Sequence, residues 1–147
     1  MSKTLKGKYR PRNPEKYKGN VGEILYRSSW ELAFMKWLDH NESVIMWQSE
    51  EKCIWYYNPV TKKKARYFPD FIVKYQGNDG LLREEVVEIK PQRQVDGPPL
   101  KPKRKSKSWE QSVKTYAINR AKWKAAVEWA ENRGMTFRLL TEKDNPN

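Results

Sequence analysis

The feature that most restricts how this chain can fold is a turn. Gln76-Gly77-Asn78-Asp79-Gly80 lies between two runs rich in aromatic and β-branched residues, Arg66 to Tyr75 and Glu84 to Lys90. Such runs favour strands, and a short Gly-containing interval joins them as an antiparallel hairpin. With Asn78-Asp79-Gly80 as a three-residue loop, Gly80 takes the left-handed conformation that this hairpin type uses. The register is then fixed, and it puts Asp70 directly opposite Glu88. Side chains alternate along a strand, so Lys90 shares the face of Glu88. Opposed residues hold their Cβ atoms about 5 Å apart, near enough for two carboxylates to reach one cation. A slip of one residue would separate them.

The surroundings sharpen this expectation. Phe71, Val73 and Tyr75 form one apolar face with Val87 and Ile89, but Phe68, Ile72 and Val86 fall on the face of Asp70, Glu88 and Lys90. Two opposed carboxylates in a partly covered setting repel each other and resist desolvation, so a bound cation is the natural compensation. Hard oxygen ligands favour Mg²⁺ or Mn²⁺ over zinc. A short E-x-K on a strand is common, and a solvated strand with ordinary surface charges is the alternative. Pro69-Asp70 ahead of an apolar strand, the hairpin spacing and two basic segments favour the site.

Those basic segments carry nearly all of the formal charge of +12. Residues 1–20 hold seven Lys/Arg against Glu15 alone, and residues 91–108 hold six against Asp96 alone. A near-neutral body with two basic strips points to a polyanionic partner, because cations on phosphates release condensed counterions. Pro11, Pro14 and Gly19 make residues 1–20 an extended arm, and four prolines make 91–108 a loop; residues 21–147 are expected to form one domain. Cys53 stands alone, which excludes an intramolecular disulfide and suggests a reducing compartment. No apolar run approaches membrane-spanning length.

Elsewhere, Ser28-Ser29-Trp30-Glu31 matches a capping box, so a helix should start there, with Trp30, Phe34, Trp37 and Leu38 as its apolar stripe. Val44–Gln48 and Cys53–Tyr57 read as strands, followed by an Asn58-Pro59 turn and a Lys62-Lys63-Lys64 loop. Val113, Tyr116, Trp123, Val127 and Ala130 mark a second helix that Gly134 can end, and Thr136–Leu140 is a last strand. The expected order is α-β-β-β-β-α-β.

Pro69-Asp70 and Glu88-Ile89-Lys90 resemble the motif of the PD-(D/E)xK nuclease superfamily. Tyr26-Arg27-Ser28-Ser29-Trp30-Glu31, Pro69-Asp70-Phe71 and Lys16-Tyr17-Lys18-Gly19 look more specifically like the small head-completion nucleases of T-even-type tailed phages. The endonuclease subunit of certain cut-and-paste transposons is similar in layout. The resemblance implies an α/β (α+β), restriction-endonuclease-like α-β-β-β-α-β core with a mixed sheet flanked by helices. It implies an endonuclease of little sequence specificity, with Glu31, Asp70, Glu88 and Lys90 catalytic. Asp70, Glu88, the Ile89 carbonyl and Glu31 would hold Mg²⁺, with Mn²⁺ as a substitute. Lys90 would orient water or stabilise developing charge. DNA phosphates would meet Lys6, Lys8, Arg10, Arg12, Lys16 and Lys18 of the arm, Lys62, Lys63 and Lys64, and Lys101, Lys103, Arg104, Lys105 and Lys107. Arg27, before the first helix, and Lys122, on the second, could also face DNA, against an alternative of ordinary helix surface. Phage head or portal proteins are the implied partners, and the host cytoplasm during assembly, or the virion, the implied location. A non-catalytic DNA-binding head protein that keeps the fold is the contrasting possibility.

Overall fold

The computed structural model describes residues 6–144. In chain order its elements are β1 (Gly7–Lys8), β2 (Leu25–Tyr26), α1 (Ser29–His40), β3 (Val44–Ser49), β4 (Ile54–Asn58), β5 (Lys63–Tyr67), β6 (Phe71–Gln76), β7 (Leu82–Ile89), α2 (Gln92–Asp96), α3 (Lys107–Glu131) and β8 (Thr136–Leu140). The central sheet runs β3-β6-β7-β8, antiparallel except for the parallel β7–β8 pair that α3 connects. β1 pairs with β2, and β4 with β5, as separate two-stranded ribbons. No helix of the described residues is long and apolar enough to cross a membrane.

The β6–β7 hairpin has the register that its turn sequence dictates. Phe71 faces Val87 and Gln76 faces Leu82. Gly77 N–H donates to the Leu81 carbonyl at 2.8 Å, and Gly80 closes the loop at φ +82°. The strands' two faces then diverge. Phe71, Val73 and Val87 join Trp47, Met35, Leu38, Ile24, Tyr9 and Tyr17 in the main core beneath α1. Ile72 and Val86 instead pack on Ala130 of α3. The same helix carries the β4–β5 ribbon through Ile54, Tyr56, Tyr67 and Ala126.

Several expectations need correction. The Arg66–Tyr75 run is two strands, interrupted at Phe68-Pro69-Asp70. Pro69 has no N–H to donate to a ladder, and there the chain leaves β4 and joins β3. Lys62 sits in the turn at φ +60°, while Lys63 and Lys64 belong to β5 opposite Asn58 and Tyr57. The 91–108 segment contains α2, and Lys107 opens α3, where the Ser106 hydroxyl caps Trp109 N–H at 3.1 Å. On α1 the buried side chains are Met35, Leu38 and Asp39, while Trp37 is 48% exposed. On α3 they are Asn119, Trp123, Ala126 and Ala130, with Val113 and Val127 exposed.

The arm is not wholly extended, since Pro14–Lys16 forms a 3₁₀ turn, and it is not separate from the body. Buried Tyr9 and Tyr17 belong to the main core. The Tyr9 hydroxyl and the Arg12 and Asn13 N–H groups donate to the buried Asp39 carboxylate at 2.9, 2.8 and 3.0 Å. Lys16 Nζ donates to the carbonyls of Leu38, Asp39 and Asn41 at 2.8, 2.9 and 2.8 Å. A helix ends with unpaired carbonyls and the negative end of its dipole, so an ammonium there is doubly favoured. Lys16, expected on DNA, is the C-terminal cap of α1.

Candidate active site

The end of the hairpin nearest α3 brings Asp70 and Glu88 together. Each carboxylate is held by the other strand's backbone: Ile89 N–H donates to Asp70 Oδ2 at 2.8 Å, and Asp70 N–H to Glu88 Oε1 at 3.1 Å. The Tyr67 hydroxyl also donates to Glu88 Oε1, at 2.8 Å. Lys90 Nζ stands 3.7 Å from Glu88 Oε2. No second donor to the Asp70 carboxylate is present among the described residues.

Burial holds the Asp70 carboxyl well above the usual carboxylate range, and the Glu88 charge pushes it further the same way. Glu88 is raised too, by burial, although the Tyr67 hydroxyl and the Lys90 charge oppose the shift. Burial drives the Tyr67 phenol far up, with the Glu88 charge adding to it. Glu88 is thus supplied with two donors and an ammonium, whereas Asp70 has a single backbone donor and a second carboxylate beside it. Hard carboxylate oxygens in that condition fit a hard divalent cation, with Asp70 and Glu88 as ligands and the Ile89 carbonyl beside them. Among the described residues no three acidic, histidine or cysteine side chains gather around one point. Glu31 thus stands outside the immediate pair.

Glu31 lies on the first turn of α1. Its backbone N–H donates to the capping Ser28 Oγ at 3.1 Å, while its Oε1 accepts from Arg27 N–H at 3.2 Å. The reciprocal bond of the expected capping box is displaced by one residue. Burial raises its carboxyl, and its charge in turn raises Asp70.

The expected DNA contacts fare differently from one another. Arg27 forms an ion pair with Glu50, a residue at φ +53° whose N–H donates to the Asp70 carbonyl at 3.3 Å. Lys8 lies 3.6 Å from Glu23. Lys6, Arg10, Arg12 and Lys18 are exposed, as are Lys62, Lys63 and Lys64 and Lys101, Lys103, Arg104, Lys105 and Lys107. Lys122 approaches the centre: its ammonium lies 5.9 Å from the Tyr56 ring centroid and 5.6 Å from that of Tyr67. Burial lowers its pKa, the Lys90 charge lowers it further, and Glu88 and Asp70 oppose them.

Tyr67 and Glu50 went unseen in the sequence. In an unbroken strand, residues three apart occupy opposite faces, which would turn Tyr67 away from Asp70. The interruption at Pro69 turns it toward Glu88. Pro69 itself was the available signal.

A four-stranded mixed sheet between helices, with paired acids and a lysine at the end of its central hairpin, defines the restriction-endonuclease-like class. The chain belongs to the TnsA-like endonuclease N-terminal family, whose model matches residues 41–142. That span includes Asp70, Glu88 and Lys90 and begins after Glu31. The chain is 41% identical over 140 residues to the head completion nuclease of Enterobacteria phage T4, covering 92% of this chain and 90% of that protein. No solved structure matches it. The protein is an endonuclease of this family.

Proposed function

We propose that this endonuclease hydrolyses DNA phosphodiester bonds at the Asp70–Glu88 pair with Mg²⁺, with little sequence specificity, during phage head completion. The observation that carries the reading is the pair itself: two adjacent carboxylates, both pushed up by burial, with Asp70 given one protein donor. Head completion comes from the T4 relative's name.

Asp70 and Glu88 are the side chains that would hold the cation, with the Ile89 carbonyl next to them and Glu31 behind. When bound, such a cation draws charge from the phosphate and acidifies nearby water. Tyr67 fixes the Glu88 carboxylate through Oε1, and the Ile89 N–H fixes Asp70. Both therefore meet substrate in one preset geometry. Lys90 brings an ammonium to the same face, where it can orient water or stabilise charge on the phosphate oxygens. The exposed lysines grip phosphates without reading bases, which accounts for the low specificity.

The test is plasmid relaxation with Mg²⁺ by the wild type and Asp70→Ala, with DNA binding measured alongside. Lost cleavage with retained binding supports the assignment. Equal nicking by both proteins overturns it, and binding without cleavage by the wild type leaves a DNA-binding head protein instead.

A further inference from the structure

The β4–β5 ribbon carries a surface that the catalytic centre does not use. Its inner face, Ile54, Tyr56 and Tyr67, is buried on α3. Its outer face exposes Trp55 at 61% and Tyr57 at 58%, and Phe68 follows directly after β5 at 43%. Two large aromatic side chains exposed side by side on one face make a contiguous patch, the kind of feature that marks an interaction site. Cations stand opposite them on the ladder: Arg66 faces Trp55, and Lys64 faces Tyr57. Residues 53–67 hold Lys62, Lys63, Lys64 and Arg66 and no Asp or Glu.

Position gives this surface its meaning. The ribbon is rooted at the centre, since Tyr67 on its inner face bonds Glu88 and Asp70 comes three residues later. Its strands are five residues long, about 16 Å, and its tip points away from that root. Alternate residues on one face lie about 7 Å apart, roughly twice the spacing of stacked bases. Aromatic rings among cations, with no acid nearby, suit a strand whose bases show their flat faces. Paired bases inside a duplex hide theirs.

We propose that the outer face of this ribbon binds unpaired DNA bases, through Trp55 and Tyr57 as stacking platforms with Lys64 and Arg66 on the flanking phosphates. The ribbon thereby selects DNA with single-stranded or frayed segments for the neighbouring carboxylates, a consequence that rests on the nuclease reading of Asp70 and Glu88. Binding itself does not depend on that reading.

The experiment measures fluorescence anisotropy of a labelled oligothymidylate and of a blunt hairpin duplex of equal phosphate number, with the full chain in chelator, where cleavage plays no part. Trp55→Ala/Tyr57→Ala should weaken oligothymidylate binding about tenfold or more and duplex binding less than about twofold, while Trp55→Phe/Tyr57→Phe keeps most of the affinity. Equal losses on both DNAs reduce the surface to phosphate contact and overturn the proposal. Unchanged binding to both also overturns it. Iodouracil-substituted oligothymidylate cross-linked to the wild type gives a readout without any variant: adducts at Trp55 or Tyr57 support the site, and adducts only elsewhere refute it. Failure of Asp70→Ala to abolish plasmid cleavage would touch the catalytic reading alone.

Discussion

Asp39 and Asp70 are two aspartates set into the protein under opposite terms. Asp39, fully buried at the end of α1, accepts from the Tyr9 hydroxyl and two backbone N–H groups. Burial pushes its pKa up, yet those bonds outweigh it and the carboxyl sits below its ordinary value. Asp70 has one backbone donor and a second carboxylate beside it, and its pKa is driven well up. The first charge is satisfied by the protein and fastens the arm to the helix. The second is left wanting, which is a condition a fold keeps only where something else supplies the difference.

The contrast can be broken most sharply at Asp70. Asp70→Asn should lower cleavage by about 10²–10³-fold or more, the scale of losing transition-state charge stabilisation, while the melting temperature in chelator stays level or rises. Retained cleavage with a lower melting temperature would invert the assignment. Asp39→Ala should do the reverse. It strands three donors, so urea denaturation should show a loss of about 3 kcal/mol, or roughly 6–12 °C for a chain of this size, with cleavage near normal below the new midpoint.

The two shifts also have opposite pH signatures. A raised carboxyl contributes stability below its unfolded pKa, near 4, and loses it as pH climbs through the folded value. A lowered carboxyl contributes above that unfolded value and loses it as pH falls through the folded one. In chelator, wild-type stability should therefore decline from about pH 4 toward neutrality more than that of Asp70→Asn. Mg²⁺ should remove the difference, and a metal-independent slope would count against the pair as its source. Acid loss belonging to Asp39 should vanish in Asp39→Ala. The smallest effect is expected at Lys16. Lys16→Met should cost about 1 kcal/mol while leaving the salt dependence of DNA binding alone, whereas Lys64→Ala should reduce that slope by about 0.9.

How far the sequence revealed this follows from the range of each interaction. The turn Asn78-Asp79-Gly80 is local, and from it the register of β6 on β7 follows by counting. The Ser28 cap is equally local, and it was legible. Asp39 gave no such signal, because Tyr9, Arg12 and Asn13 reach it from about 30 residues away in the chain. The same distance misled the reading of α1: with Tyr9 and Tyr17 docked, the helix buries Met35 and Leu38 and leaves Trp37 outward. Lys16 looked like one more basic residue of a strip, and only the position of the helix end shows its use. Tyr67 was lost to strand parity, which assumes a continuity that Pro69 ends.

That interruption at Phe68–Asp70 has a consequence for where the chain can change. The ribbon leaves the sheet before Asp70 and returns to it through a single short segment, and among the described residues β4 pairs only with β5. Residues can be added, removed or exchanged at the Pro59–Lys62 tip with no change in the spacing between Asp70 and the hairpin turn. Remodelling of this peripheral appendage therefore leaves the Asp70–Glu88 pair in its setting.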